Sequence, residues 1–314
     1  MSDLKLLALF AATLVSIGLT GCSTLPSEPG NHVSCMPIES NLPWGAISGL
    51  TADRHHRNRL YAVHDHNLKP PEILRLEISS TGAAITRSIP ITRNQHRVKY
   101  DLEGITQRRE GGFWLASEGK PGQHRPNLIV RTDAQGKVLE EIHLPPELER
   151  YRVKAGFEGI ASSGKEQDEQ VVVVFQRPWK DDPNGQVKIG QYWPSSGQWR
   201  FYRYPLDAPK GTGLSAITPL GGGNFAVLER DNRPFFKAKT KIIHKIHLPP
   251  LTDTVSPQRY PLLEKQVLTN ILPVYPLSCG TSGKLEGMTS GDDGEFFLIA
   301  DDDGDGDALL LRVY

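Results

Sequence analysis

Five times along this chain an apolar segment opens on a small or acidic residue, runs on to a short strand and ends in a polar cluster. The openings are Ile47-Ser48-Gly49-Leu50, Leu102-Glu103-Gly104-Ile105, Phe157-Glu158-Gly159-Ile160, Leu214-Ser215-Ala216-Ile217 and Leu285-Glu286-Gly287-Met288. Measured at Gly49, Gly104, Gly159, Ala216 and Gly287, the steps are 55, 55, 57 and 71 residues. A near-constant period is the signature of a repeat architecture. It also predicts a site, because every repeat delivers its polar residues to one equivalent place.

After each opening comes a short run that reads as a buried strand: Leu60-Tyr61-Ala62-Val63, Phe113-Trp114-Leu115-Ala116, Val171-Val172-Val173-Val174-Phe175, Phe225-Ala226-Val227-Leu228 and Phe296-Phe297-Leu298-Ile299-Ala300. These runs are β-branched, aromatic or otherwise apolar, as buried strands should be. Third strands are expected at 73–78, 128–132, 187–193, 240–246 and 309–314. Four units add an outer strand marked by proline, at Ser88-Ile89-Pro90-Ile91, Ile142-His143-Leu144-Pro145-Pro146, Tyr204-Pro205-Leu206 and Ile246-His247-Leu248-Pro249-Pro250. Proline removes a ladder donor and so belongs on an edge strand.

The fifth unit ends with its third strand, and Val33-Ser34-Cys35-Met36-Pro37-Ile38 is the candidate for its missing fourth. Lending a terminal strand to the last unit removes the open seam of a radial repeat. The expectation is an all-β chain, a β-propeller with five visible blades whose ring an N-terminal strand closes. The long step before Gly287 leaves residues 252–278 as an insertion or as a degenerate sixth blade. Cys35 lies in the closing strand and Cys279 just before the last blade. A disulfide between them would latch the ring; two independent thiols are the alternative reading.

Residues 1–21 read as a signal peptide with an apolar run at 6–19, ending in Leu19-Thr20-Gly21-Cys22. This ending resembles the lipoprotein box of bacteria, which implies cleavage before Cys22 and lipidation of that residue. A short membrane anchor is the alternative, although the run is short for a span. Ser23 after the cysteine points to the outer membrane, residues 22–32 would be the lipidated tether, and residues 33–314 the folded domain. One acyl chain holds a protein only marginally, whereas the three implied by the resemblance would anchor it firmly. The chain carries 36 basic and 36 acidic residues, so no basic excess argues for nucleic acid. A monomer is expected.

Where the second strands end, the units place Asp65, Glu118 with Lys120, Gln176 with Arg177, Glu229 with Arg230 and Arg233, and Asp301 with Asp302 and Asp303. The openings add Asp101, Glu103, Glu158 and Glu286. Carboxylates interleaved with Lys and Arg are what a cation and an anionic substrate together require. The segment 301–307 is the sharpest local signal. Asp301, Asp303 and Asp305, followed by Gly306, match the first half of a calcium loop, but Arg312 stands where the bidentate Glu should be. Calcium would therefore need ligands from other loops, and an acidic hairpin turn is the alternative. The histidines of His55-His56 and His64-x-His66 read as surface, Gly221-Gly222-Gly223-Asn224 as a hairpin turn, and no G-x-S-x-G elbow appears.

Taken together, Asp101-Leu102-Glu103-Gly104-Ile105, Gly112 to Glu118, Gly156-Phe157-Glu158-Gly159-Ile160, Leu228-Glu229-Arg230 and Leu285-Glu286-Gly287-Met288 resemble the phytase-like (esterase-like) propeller family over residues 45–314. The resemblance implies an envelope β-propeller and a calcium-dependent hydrolase of phosphate or related esters. The chain departs from the pattern at Gln176, where a carboxylate is usual, and at Ser48 and Ser215, which replace the opening Glu.

On that reading Asp301, Asp303, Asp305, Glu286 and Glu158 hold the metal. Glu103, Glu118 and Glu229 are the candidate catalytic groups, with Glu103 also within the metal's reach. Lys120, Arg177, Arg230 and Arg233 would clamp phosphate. Two alternatives are a non-catalytic, lipid-anchored platform that binds an envelope protein around a structural calcium, and a metal-dependent lactonase.

Overall fold

The computed structural model describes residues 32–65, 70–123, 125–249, 260–280, 283–301 and 308–314. The expected signal peptide, Cys22, Asp303 and Asp305 lie outside the described residues. The regular structure described is almost all strand; helix is limited to one turn, Pro146–Glu149, and a few short 3-10 segments.

Strand β1 (Val33–Ser40) comes first, then β2 (Ile47–Ala52), β3 (Arg59–His64), β4 (Glu72–Ile78) and β5 (Ala83–Pro90). A two-residue ladder, β6 (Thr92–Arg93) and β7 (His96–Arg97), leads to a four-stranded sheet of β8 (Leu102–Gln107), β9 (Phe113–Ser117), β10 (Leu128–Thr132) and β11 (Val138–His143). The next sheet is β12 (Phe157–Ser163), β13 (Gln170–Phe175), β14 (Gln186–Trp193) and β15 (Gln198–Pro205). After it come β16 (Thr212–Gly221), β17 (Asn224–Asp231), β18 (Lys241–His247) and β19 (Lys265–Asn270). Last are β20 (Lys284–Ser290), β21 (Phe296–Asp301) and β22 (Leu309–Val313).

β1 joins the two ends of the chain. Val33 to Pro37 pair antiparallel with β22, and Ile38 to Ser40 pair parallel with β5. The first five strands and the last three thus share one eight-stranded sheet, ordered β2-β3-β4-β5-β1-β22-β21-β20. A disulfide between Cys35 of β1 and Cys279, with their Cα atoms 5.6 Å apart, ties this strand to the segment before β20. The second strands are buried along nearly their whole length, which is why they read as unbroken apolar runs.

The fourth sheet corrects the expected strand ranks. Ile246-His247 ends its third strand, and its outermost strand is β19, which has no proline. The same Ile-His-Leu-Pro-Pro string ends the outermost strand β11 of the second sheet. Proline stops a ladder at whatever rank it follows, so the repeated string marks an exit from the sheet and not its rim. The stretch 252–278, expected as an insertion or a sixth blade, supplies β19 to the fourth sheet in its described part.

The innermost strands β2, β8, β12, β16 and β20 neighbour one another in a circuit. Two devices hold them together. The first is the glycine of four of the five openings, with Ala216 in the fourth unit. A Cβ on Gly49 would sit 2.8 Å from the Cα of Gly104, one on Gly159 2.7 Å from the Cα of Ala216, and one on Gly287 2.9 Å from the amide of Leu50. Only a residue without a side chain lets these backbones approach so closely.

The second device lies two residues further on. Thr51, Thr106, Thr218 and Thr289 each accept an amide proton from the next inner strand, at 3.0–3.3 Å from Gln107, Ser162, Ser290 and Ala52. The third unit has Ala161 at this place. Between the two devices Leu50, Ile105, Ile160, Ile217 and Met288 are buried around a space of about 10 Å³. That is room for about one water, so the waist of the axial channel is closed by apolar side chains.

Candidate functional site

A cavity of about 690 Å³ opens at the end of the channel where the inner strands begin. Its chemistry follows from register. Ile47, Leu102, Phe157, Leu214 and Leu285 face His64, Ser117, Phe175, Glu229 and Ala300 across the ladder. Just past each of these residues the register shifts. A bulge re-aims the extra residue and ends regular pairing. The bulged positions are Ser48, Glu103, Glu158, Ser215 and Glu286. The second strands deliver the residue after the pair: Asp65, Glu118, Gln176, Arg230 and Asp301. Nine of these ten residues line the cavity, the tenth, Ser215, lines the waist below it, and Ser48 and Glu103 line both.

This register corrects one expected catalytic residue. Glu229 occupies the paired position, one residue short of the cavity, and a one-residue shift turns a strand side chain to the other face. Its carboxylate is buried, accepting from Tyr204 Oη at 3.1 Å, Thr212 Oγ1 at 2.8 Å, the Asp207 amide at 2.7 Å and Lys265 Nζ at 2.8 Å. Asp207, Glu229 and His244 converge closely enough to suggest a metal site, but the Lys265 ammonium, 2.6 Å from Asp207, already sits among them. The cluster is a satisfied link between the third and fourth sheets. Arg233 is likewise corrected: it is exposed and lines no part of the cavity.

Arg230 does face the cavity, buried, donating to the backbone oxygen of Leu285 at 2.9 Å and paired with Glu286. Despite burial, Glu286 and Glu158 hold its pKa above the ordinary value. Arg177 donates to the carbonyl of Thr212 at 2.6 Å and to Asn232 at 3.2 Å; burial, then the neighbouring Arg230, lowers its pKa. Lys120 sits 2.7 Å from Asp101, at the acidic side of the site. Lys154 and Lys284 also line the cavity. Neither stood out in the sequence. Lys154 lies three residues before its opening and Lys284 immediately before its own, so no shared spacing marks them.

Of the expected metal set, Asp301, Glu158 and Glu286 line the cavity, with Glu286 engaged by Arg230. The tightest convergence lies elsewhere. Asp65, Asp101 and Glu103 each bring a carboxylate oxygen within 4.8 Å of the others. Burial, then the hydrogen bond and charge of Asp101, pushes the Asp65 pKa up to about 7. Burial, then the charges of Glu158, Asp65 and Glu118, holds Glu103 well above the ordinary carboxylate range. Glu158 is raised in the same way, by burial and then by Glu286. Glu118 is pushed up to about 7 by burial, although the Gly156 amide donates to it at 2.8 Å.

The match to known families decides between a generic propeller-like sheet assembly and a specific lineage. Residues 42–304 match the Phytase-like family, described as having the esterase-like activity of phytase. The chain belongs to that family. Its membership places the acidic cavity in a family described by an ester-cleaving activity. No curated protein matches the chain. Several solved structures do. A thermostable family-43 glycoside hydrolase shares 12% identity over 85% of this chain and 88% of its own, with a TM-score of 0.49. A structure from the GH130 family, described as containing glycoside hydrolases that target β-1,2-mannosidic linkages in Candida mannan, shares 10% over 87% and 85%, also at 0.49. A luciferin-regenerating enzyme shares 14% over 86% and 78%, at 0.43.

Proposed function

We propose that this Phytase-like protein is a metal-dependent hydrolase of phosphate or related esters, working in the acidic cavity of a five-bladed propeller closed by β1. The observation that carries the reading is the convergence of Asp65, Asp101 and Glu103, with Glu118 and Glu158 adding further negative charge. Carboxylates that repel one another into the protonated state are a cost to the fold, which a divalent cation relieves. The donor set is all oxygen and suits a hard cation such as Ca²⁺.

Bound there, the cation would polarise an ester oxygen and acidify a water. The protein's own groups supply the remainder. Lys154, Lys284 and Arg177, which line the same cavity, attract an anionic substrate. Arg230 fixes Glu286 and braces the fifth opening through the Leu285 carbonyl. Glu118 has a pKa of about 7, where a group both takes up and gives back a proton near neutral pH. It is the proposed general acid-base, held in place by the Gly156 amide.

The test is turnover of a panel of phosphomonoesters, phytate, carboxyl esters and lactones, with Ca²⁺ and with EDTA. Calcium-dependent hydrolysis lost in Glu103→Gln supports the reading and identifies the ester class. Calcium that raises the melting temperature without turnover of any ester would make the metal structural. Anchoring at the outer membrane through a lipidated Cys22 belongs to the same proposal. Palmitate labelling of the wild type but not of Cys22→Ser checks it.

A further inference from the structure

We infer that the opposite mouth of the channel is a second binding site, which takes a small organic phosphate or carboxylate between Arg54 and Arg109. This mouth holds a cavity of about 360 Å³ where the inner strands end, lined by Thr51, Thr106, Thr218 and Thr289 beside the two arginines. The apolar waist separates it from the acidic cavity, so the two do not share a ligand.

The arginines are placed without a direct ion pair among the described residues. Arg54 donates from Nε to the backbone oxygen of Gln107 at 2.9 Å and from a terminal nitrogen to that of Ser162 at 3.4 Å. Both acceptors are neutral carbonyls, so they fix the guanidinium across two inner strands, and its charge is balanced only at longer range, by Glu110 and Glu169. Arg109 is exposed, has no carboxylate partner among the described residues, and repels Arg54. The acids nearby are engaged elsewhere. Asp53 and Asp292, which line the cavity, bind Arg59 with Tyr61 and, at 3.0 Å, Arg57, while Glu169 and Glu110 bind Arg108 at 2.7 and 3.5 Å.

The hydroxyls add donors. Thr51 and Thr289 are buried, and each spends an oxygen lone pair on the amide of the next strand. A hydroxyl that accepts in this way keeps its own proton to donate. Neither has an acceptor for it among the described residues, and both line the cavity. Two guanidiniums without a direct ion pair, facing spare hydroxyl protons beside carboxylates already bound to other arginines, leave the pocket an excess of donors, which an oxyanion completes. A volume near the small end of ligand pockets limits the ligand to a small organic anion.

Calorimetric titration with inorganic phosphate and with citrate, in EDTA so that no cation recruits anions to the acidic mouth, tests the proposal. At least one probe binds saturably to the wild type. Arg109→Gln, whose side chain supports no contact of the fold, weakens that probe tenfold or more, as does Arg54→Gln, while Arg177→Gln in the acidic cavity leaves it within twofold. The ratio of phosphate to citrate affinity tells which oxyanion the site prefers. Failure of both probes to bind the wild type, or Arg109→Gln binding as the wild type does, overturns the proposal. Binding lost only in Arg177→Gln overturns it too and assigns the anion to the acidic mouth.

Discussion

The two mouths of the channel are built by the same inner strands, yet their side chains do opposite work. At the mouth where the strands end, polar groups stitch strand to strand: each threonine of the belt accepts an amide proton from its neighbour. At the mouth where they begin, bulges turn Glu103, Glu158 and Glu286 off the ladder into a cavity already edged by Asp65, Glu118 and Asp301. Only a few of these groups serve packing, as Ser48 does by donating to the Leu102 carbonyl at 2.6 Å. Satisfied polar groups hold a fold together, whereas buried like charges weigh against it unless something else requires them. The acidic mouth is therefore where turnover is expected, and the strand-to-strand links of the belt are where stability is.

The largest effect that would separate the mouths is on rate. Glu118→Gln should lower turnover by about 10²–10⁴-fold, the usual contribution of a positioned acid-base group, while calcium still raises the melting temperature. Thr218→Val at the other mouth should leave turnover within twofold. Equal losses in both variants, measured as kcat/KM on whichever ester the panel identifies, would mean that the acidic mouth has no special role.

Stability against pH comes next. In EDTA, Asp65 and Glu118 titrate near 7 in the folded chain, above their ordinary 3.8 and 4.5. Between about pH 4 and 7 the folded state thus holds more protons than the unfolded one, so unfolding free energy falls as pH rises, by up to about 1.4 kcal/mol per pH unit for each proton. Asp53 and Asp231 are shifted the other way, down despite burial by backbone amides, and their effect is confined to more acid solution. Saturating calcium should flatten the slope. Urea unfolding across pH 4.5–8 reads it, and stability that rises through this window without metal would contradict the repulsive cluster.

How far the sequence disclosed this arrangement depends on which physical signal each residue carries. The period is legible because every opening needs a residue small enough for the neighbouring backbone. The second strands are legible because burial on both faces leaves an unbroken apolar run. Glu229 misleads because a carboxylate at a strand end looks the same one residue either side of the cavity, and only the ladder pairing fixes which residue turns inward. The outermost strand of the fourth sheet is obscured because proline records where pairing stops, not which rank of strand has stopped. The threonine belt was there to be found, as Gly49-Leu50-Thr51, Gly104-Ile105-Thr106 and Gly287-Met288-Thr289, two residues after the glycine that set the period. The trio Asp65, Asp101 and Glu103 was not, because it joins the end of one unit's second strand to the opening of the next.

Packing at the circuit of glycines gives a smaller effect than either charge experiment. Gly104→Ala would place a methyl 2.6 Å from the Glu158 carbonyl oxygen and 2.9 Å from the Ile160 amide, both backbone atoms of the next inner strand. Overpacking of this kind costs about 1–3 kcal/mol. Because Glu103 and Glu158 flank the contact, the same variant should also weaken calcium binding. Gly211→Ala, a turn glycine with open space around its Cβ position and no left-handed φ, controls for the loss of glycine alone.

The belt should give the smallest loss. Thr218→Val keeps the shape of the side chain but removes the acceptor for the Ser290 amide at 3.1 Å, a net hydrogen-bond contribution of about 0.5–1.5 kcal/mol. The third unit supplies a natural reference, since Ala161 already lacks this link to its neighbour. If the belt holds the circuit link by link, Thr218→Val and Thr106→Val should each lower stability by that amount, and their effects should add, because the two links join different pairs of strands. Calcium affinity should stay unchanged in both. A double variant much less stable than the sum would show that the inner strands act as one cooperative ring, and would couple the acidic mouth to the belt across the apolar waist.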